Sequence, residues 1–311
     1  MAHHTIFFDD SGVIRSGWRA AIFLVLYGVL GIAVQAIVFA CTRSLDLESI
    51  DVRLLTMIGL VVGSITTAGV AWLCGKLLEK LPFATLGASL TEGWLRHFLI
   101  GSALGISAIV VALAPAVASG SLRFAVTDAP GGTLAYQLAL SLIFFLAGAA
   151  YEELLFRGYV LQTFARSGLA WLAILLTSVL FGAFHLANPS ANWISTINTI
   201  LAGVVFSVAY LRTLDLWLPL GLHFMWNFAQ GSLFGIEVSG LRQYSPISLL
   251  VESDKGPMWL TGENYGIEAS IGCTIGLLLV IVAIYAIPAL RPDEYLVKLS
   301  HRNRDFTPPV S

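Results

Sequence analysis

Four side chains of the kinds used in acid–base catalysis lie inside strongly apolar segments: Glu152, His185, His223 and Asn227. A carboxylate beside an imidazole can bind a water molecule and take its proton. A second imidazole and a carboxamide can donate hydrogen bonds to a developing oxyanion. Together these groups would hydrolyse an acyl bond directly. One carboxylate and two imidazoles are also the ligands of many catalytic zinc ions, so Glu152, His185 and His223 form an alternative metal site.

The two adjacent glutamates at 152 and 153 have different neighbours. Arg157 follows Glu153 by four residues, with the acid on the N-terminal side, which is the favourable order for a helical ion pair. Glu152 lies about 100° round the helix and has no Lys or Arg three or four residues further on. We therefore predict that Glu153 is ionised and structural, and that Glu152 faces a low-dielectric site as a general base or acid. The alternative is that both glutamates pair with Arg157.

Spacing along the chain brings these residues to compatible depths. A turn is predicted at 167–168, 15–16 residues after Glu152 and 17–18 residues before His185. At ~1.5 Å per residue both side chains lie about 22–27 Å from the turn, so they face each other in an antiparallel helix pair. His223 and Asn227 are four residues apart and share one helix face.

The elements that must position these residues are membrane helices. Of the 311 residues, 57% are hydrophobic and 12% are charged, about half of the roughly 25% usual in soluble proteins. Mean hydropathy is +0.82. The net charge of −2 gives no indication of nucleic-acid binding. The three cysteines lie in apolar runs, which argues against a disulfide framework or a thiolate metal site.

Eight apolar runs reach the roughly 20 residues that a helix needs to cross a bilayer. They cover residues 20–41, 54–75, 97–119, 133–156, 169–187, 193–211, 216–234 and 269–290. The first is too long for the apolar region of a signal peptide, so we expect it to remain as a span. We predict an all-α polytopic bundle of eight transmembrane helices, forming a single integral membrane domain over 1–311 with its catalytic core at 133–234. The longest connector, 235–268, is interpreted as an ordered or partly re-entrant loop.

The distribution of Lys and Arg predicts the orientation of the bundle. With the N-terminus inside, the inner segments hold 12 of the 17 basic residues and the outer segments hold 5. The inner set is Arg15, Arg19, Lys76, Lys80, Arg96, Arg157, Arg166, Arg212, Arg291, Lys298, Arg302 and Arg304; the outer set is Arg43, Arg53, Arg123, Arg242 and Lys255. Both termini are therefore expected in the cytoplasm.

Three motifs on successive apolar segments carry a family resemblance. Residues 152–157 read EExxxR, 181–185 read FxxxH and 223–227 read HxxxN. In this order they resemble the CPBP (Abi) family of intramembrane proteases, which includes the type II CAAX prenyl endopeptidases and bacterial bacteriocin-processing or self-immunity proteins. The resemblance covers about residues 133–234.

This resemblance implies an eight-helix endopeptidase in the inner membrane of a bacterial cell. Its partners would be the lipid bilayer and a membrane-associated peptide or protein substrate, of CAAX type or carrying a leader peptide. Carried onto this chain, Glu152 and His185 would activate water, while His223 and Asn227 would form the oxyanion hole. Glu153 and Arg157 would support the first motif. The family's chemistry has been described both as metal-free and as zinc-dependent, and the residues serve either scheme.

Two other functional classes remain as alternative interpretations of the sequence. A proton-coupled transporter also buries Glu and His, but it predicts ionisable residues spread along a pathway, or broken helices in both halves of the chain. The sequence has neither feature. A non-catalytic immunity protein would keep the fold without the reaction, and the intact motifs weigh against it.

Overall fold

The computed structural model describes residues 6–9, 12–44 and 51–301. Arg302 and Arg304 of the predicted inner set lie outside the described residues, as do both chain ends. The helices are α1 (Ser16–Ser44), α2 (Val52–Leu78), α3 (Trp94–Ala118), α4 (Gly131–Leu155), α5 (Leu161–Ala165), α6 (Ala170–Phe184), α7 (Trp193–Thr213), α8 (Trp217–Phe228), α9 (Met258–Thr261), α10 (Ile271–Ala286) and α11 (Glu294–His301). Two strands, β1 (Leu122–Val126) and β2 (Leu250–Asp254), accompany them.

Within the described ranges, six helices are long and apolar enough to cross a membrane. They are α1, α2, α3, the continuous helix Gly131–Ala165, the helix Ala170–Ala187 and α7. An integral membrane helix bundle is thereby confirmed. The last two predicted spans coincide with shorter helices: α8 has 12 residues and continues through a π-helical segment to Leu233, and α10 has 16 residues. The count of eight spans stays a prediction.

The long connector 235–268 is ordered, as expected, and it contributes a small departure from an all-α fold. Its strand β2 pairs antiparallel with β1, so that Leu122 lies opposite Asp254. Gly240 adopts a left-handed conformation (φ 76°), and a Cβ there would lie 2.2 Å from the carbonyl oxygen of Pro189. The connector therefore packs directly against the segment between α6 and α7.

Close packing against α3 fixes the position of α8, which carries His223. A Cβ at Gly101 would lie 2.2 Å from the Leu218 carbonyl oxygen, and one at Gly105 would lie 2.4 Å from that of Leu222. Small residues allow helix backbones to approach closely in membranes, where packing rather than hydrophobicity drives association. The two glycines thus hold α3 and α8 in van der Waals contact along their lengths.

Buried ion pairs and a buried His–Asp contact join the helices at the end of the bundle where α1 begins. Glu79 accepts from Arg19 Nη1 at 2.7 Å and from Arg166 Nη2 at 3.0 Å. His97 Nδ1 lies 2.5 Å from Asp215 Oδ2, and both side chains are buried. Two of the basic residues assigned to the inner face, Arg19 and Arg166, are therefore used inside the bundle as ion-pair partners.

Candidate active site

A single cavity of about 300 Å³ brings the four predicted residues together: Glu152, His185, His223 and Asn227 all line it. They come from three separate helical segments, on α4, at the end of α6 and on α8. The walls are aromatic, formed by Phe144, Phe145, Tyr151, Phe156, Phe181, Phe184, Phe206, Trp226 and Tyr244. The geometry expected from chain spacing is thus found, in a mainly apolar pocket closed on one side by the 235–268 connector.

Behind the cavity wall, one oxygen of the buried Glu153 accepts two hydrogen bonds. Arg157 Nη1 donates to its Oε1 over 3.1 Å, and His223 Nδ1 donates to the same atom over 3.0 Å. Arg157 also donates to the Gly203 carbonyl oxygen over 3.0 Å and lies 5.2 Å from the centre of the Phe206 ring. The ion pair expected from the four-residue spacing forms. The contact with His223, which no local spacing could indicate, makes Glu153 a bridge between two motifs.

This contact decides how the imidazole of His223 is presented. Because a carboxylate only accepts, Nδ1 of His223 carries a proton, and Nε2 is left to face the cavity. Nε2 lies 3.8 Å from Oε2 of Glu152, too far for a direct hydrogen bond. The Phe206 ring stacks on the imidazole at 4.6 Å between centroids and 16° between planes. The ring is therefore held rigidly between Glu153 and Phe206.

Glu152 is the less confined of the two glutamates. Its side chain is 30% exposed, against 1% for Glu153, and its Oε2, like that of Glu153, has no hydrogen-bond partner among the described residues. A carboxylate oxygen with a free lone pair, turned into a cavity, can accept a hydrogen bond from water or substrate. The two adjacent glutamates thus differ in burial and in their charged partners, as predicted, while the acid–base role of Glu152 stays a prediction.

His185 lies at the C-terminal end of α6, where the α-helix tightens into a 3₁₀ turn. Its Nδ1 is 2.8 Å from the carbonyl oxygen of Phe181. Since a carbonyl can only accept, Nδ1 carries the proton and Nε2 keeps its lone pair. His185 is therefore held in the tautomer that accepts a proton through Nε2.

Asn227 lies one turn after His223 on the same helix and is partly exposed in the cavity. A π-helical segment, Ala229–Leu233, begins two residues later. A similar segment, Phe156–Val160, follows α4 directly after the two glutamates. Such π segments often occur at functional sites, because the widened turn changes the direction of nearby side chains.

Glu268, which belongs to none of the three motifs, supplies a second carboxylate to the cavity. Its Oε2 accepts from the backbone N–H of Ser239 at 2.6 Å and from the Ser239 hydroxyl at 3.0 Å. Burial raises the pKa of Glu268 above its ordinary value, although the Ser239 hydrogen bonds act in the opposite direction. In the sequence it stands in a polar connector just before α10, where a charge is typical of a solvated loop.

The alternative zinc site does not fit the observed arrangement. Among the residues that the structure describes, no group of three or more His, Cys, Asp and Glu side chains could hold a metal ion. Glu152 and His223 approach each other, but His185 does not complete a set of ligands with them.

Comparisons with known proteins match the segment that carries these residues. A family model described as "Type II CAAX prenyl endopeptidase Rce1-like" matches residues 133–229. An "Uncharacterized 24.3 kDa protein" of Escherichia coli is 34% identical over 178 residues, which is 56% of this chain and 68% of the relative. The "Uncharacterized protein YyaK" of Bacillus subtilis (strain 168) is 26% identical over 201 residues, 60% of this chain and 64% of the relative. The alignments thus span about two thirds of each relative's length.

Proposed function

We propose that this chain, which belongs to the Rce1-like family of type II CAAX prenyl endopeptidases, hydrolyses a peptide bond of a membrane-associated substrate by direct attack of water. The observation that carries the proposal is the convergence of Glu152, His185, His223 and Asn227 in one aromatic-walled cavity. A carboxylate, two imidazoles and a carboxamide provide both proton transfer and oxyanion stabilisation, which are the requirements of acyl hydrolysis.

In the first step Glu152 takes a proton from water as the water oxygen attacks the carbonyl carbon of the peptide bond. The lone pair on His185 Nε2 accepts a hydrogen bond from the water's other O–H group and so orients the molecule. Protonated Glu152 then gives its proton to the amide nitrogen as the C–N bond breaks. The products are a new carboxyl group and a new amine, and Glu152 returns to its ionised form.

The oxyanion that develops in the first step is stabilised from α8. Asn227 donates through its amide N–H, and His223 donates through Nε2. Since Nδ1 of His223 already donates to Glu153, a donating Nε2 requires the doubly protonated imidazolium. Glu153 supplies its counter-charge throughout, and Glu152 does so until it takes the proton from water. Glu153 and Arg157 thus position His223 rather than touch the substrate.

The orientation of the protein follows from the charge distribution of the sequence. We place both termini in the cytoplasm and the chain in a bacterial inner membrane. The substrate is a membrane-associated peptide or protein, of CAAX type or bearing a leader peptide. Reporter domains fused at the C-terminus and within residues 242–256 should then report opposite sides of the membrane; the same side for both would contradict this topology.

The function is tested with the purified chain in detergent and a library of membrane-anchored peptides. Mass spectrometry of the products should reveal new termini with the wild type and with the exposed-site control Glu294→Gln, but not with Glu152→Gln. A chelator should leave cleavage unchanged. A folded wild type that cleaves none of the peptides would favour a non-catalytic immunity protein. Stoichiometric zinc that is lost on His223→Ala would overturn the metal-free mechanism.

A further inference from the structure

The elements next to His185 bring further polar side chains into the active-site cavity. The residues that follow α6, the first two turns of α7 and the 235–268 connector supply five of them: Asn188, Asn198, Thr199, Ser239 and Glu268. In contrast, α2 and the first part of α4 supply mainly apolar side chains, among them Leu60, Phe144 and Phe145. Hydrogen bonds to a substrate are thus available mainly where the end of α6 meets α7 and the connector.

Four of these five side chains already form hydrogen bonds within the protein. Asn198 donates to the carbonyl oxygens of Glu268 and Ser270 at 2.7 and 2.9 Å, which occupies both of its amide hydrogens. The hydroxyl of Ser239 donates to the Glu268 carboxylate at 3.0 Å. The hydroxyl of Thr199 donates to a backbone carbonyl oxygen of its own helix at 2.8 Å. Most of the hydrogen-bonding capacity of these four residues is thus used within the wall of the cavity.

Asn188 differs from the other four, because its carboxamide forms no hydrogen bond with any residue that the structure describes. Its backbone is nevertheless fixed on both sides. The N–H donates to the His185 carbonyl oxygen at 3.1 Å, and the carbonyl oxygen accepts from the Ala191 N–H at 3.3 Å. The next residue, Pro189, packs against Gly240 of the connector. Since residues three apart in a 3₁₀ turn lie on the same side, the Asn188 carboxamide and the His185 imidazole enter the cavity together.

A free carboxamide in this place matches an extended peptide backbone. It carries N–H donors beside a C=O acceptor, and the N–H and C=O of one residue in an extended chain point in the same direction. A substrate that displaces water from the carboxamide must supply new partners, because an unpaired polar group costs free energy. A peptide backbone supplies both partners, whereas an apolar chain supplies neither. The fixed backbone of Asn188 also means that little conformational freedom is lost on binding.

We propose that Asn188 binds the backbone of the substrate: its amide oxygen accepts from the N–H, and its amide N–H donates to the carbonyl oxygen, of one extended residue next to the scissile bond. This inference rests on the proposed function and deepens it, because it adds a substrate-binding residue to the four that carry out the reaction. Since both hydrogen bonds are made to the backbone, the bound residue can carry different side chains.

Binding tests the inference separately from cleavage. The reference protein is Glu152→Gln, which keeps the shape of the site but should not cleave, and the ligand is the fluorescent membrane-anchored peptide of the library that it binds most tightly. An ester scan replaces each backbone N–H of that peptide in turn by oxygen. Fluorescence anisotropy should give a Kd about tenfold higher for one ester than for the parent peptide, as expected when a hydrogen bond is lost and its acceptor is left unpaired. In a peptide that the wild type cleaves, this position should adjoin the scissile bond.

A second substitution assigns the effect to one side chain. Adding Asn188→Ala should raise the Kd of the parent peptide about tenfold and reduce the effect of that ester to about twofold or less, because the two changes remove the same contact. Adding Asn264→Ala, which alters an exposed Asn of the connector outside the cavity, should leave both values unchanged. With Glu152 restored, Asn188→Ala should raise KM and keep kcat within about threefold, because the contact is equally strong in the ground state and the transition state.

Three results would overturn the inference: no sensitive ester, an ester effect that persists in Asn188→Ala, or a loss confined to kcat. Asn188→Ser, whose side chain is too short to form both bonds, takes the place of Asn188→Ala if that variant does not fold. Binding with a sensitive ester but without cleavage by the wild type would refute the proposed function and leave the role of Asn188 standing. Cleavage without any sensitive ester would do the reverse, and a library in which no peptide binds would refute both.

Discussion

Replacing Glu153 by Gln should strongly destabilise the protein. The side chains of Glu153 and Arg157 are 1% and 0% exposed and lie 3.1 Å apart. Removing one partner of such a buried pair costs about 3–5 kcal/mol, because the other charge is left uncompensated. The Gln oxygen can still accept hydrogen bonds from both donors, but it cannot neutralise Arg157 or support an imidazolium at His223. We therefore expect a free energy of unfolding lower by about 3–5 kcal/mol, together with reduced turnover in the fraction that folds.

The assay is reversible unfolding in mixed micelles, followed by tryptophan fluorescence as the fraction of denaturing detergent rises. The matched control is Glu294→Gln, which breaks a pair of the same four-residue spacing with Lys298 at 3.8 Å. Because those side chains are 92% and 77% exposed, its loss should leave the unfolding curve unchanged within error. The two pairs thus share their four-residue spacing and differ mainly in burial.

A double substitution separates lost charge balance from other effects of the change. Arg157→Met together with Glu153→Gln removes both charges, and replacing a buried pair by apolar groups is often neutral or stabilising. The double variant should therefore be more stable than Glu153→Gln alone. A loss below about 1 kcal/mol for Glu153→Gln, or a double variant as unstable as the sum of the singles, would refute the reasoning.

Three further predictions concern helix packing, pH and the oxyanion. Gly105→Ala should lower the free energy of unfolding by about 1–3 kcal/mol and reduce activity, because its Cβ would lie 2.4 Å from the Leu222 carbonyl oxygen. The control Gly69→Ala, whose Cβ would meet nothing within 4 Å, should change neither quantity in the same melting and turnover assays. Burial raises the pKa of Glu252 to about 8, so ionisation of this side chain disfavours the folded state. The melting temperature should therefore fall as pH rises from about 4.5 to 8, and it should fall less steeply in Glu252→Gln than in the wild type. Equal slopes would contradict this. Asn227→Ala should lower kcat by ~10²–10³ with KM little changed, as for loss of one oxyanion donor, and a change confined to KM would argue against that role.

The sequence was most informative where function depends on spacing within one helix. The four-residue interval from Glu153 to Arg157 predicted their ion pair, because side chains four apart meet on a helix surface. The two intervals measured from the predicted turn placed Glu152 and His185 at one depth, and both line the cavity. The family match over residues 133–229 confirms the resemblance that the three motifs indicated.

Contacts between distant segments were not accessible from the sequence. The bond from His223 to Glu153 joins residues 70 apart, and nothing in either motif specifies it. Glu268 enters the cavity only because the connector folds back over the helix ends. The eighth apolar run, 269–290, is longer than its helix Ile271–Ala286. The change from α-helical to π-helical turns at 229–233 was not predicted, since an apolar run records composition, whereas the type of helical turn depends on hydrogen bonding.

The most direct test of the account is single-turnover cleavage of a membrane-anchored peptide in ¹⁸O-labelled water, comparing the wild type with Glu152→Gln. The wild type should place one ¹⁸O atom in the new carboxyl group, and acid-quenched samples should contain no peptide bound covalently to the chain. Glu152→Gln, which removes the general base but keeps the shape of the side chain, should melt like the wild type and react ~10²–10⁴ times more slowly. A folded Glu152→Gln that reacts within tenfold of the wild type, or a trapped acyl-enzyme, would contradict water activation by Glu152.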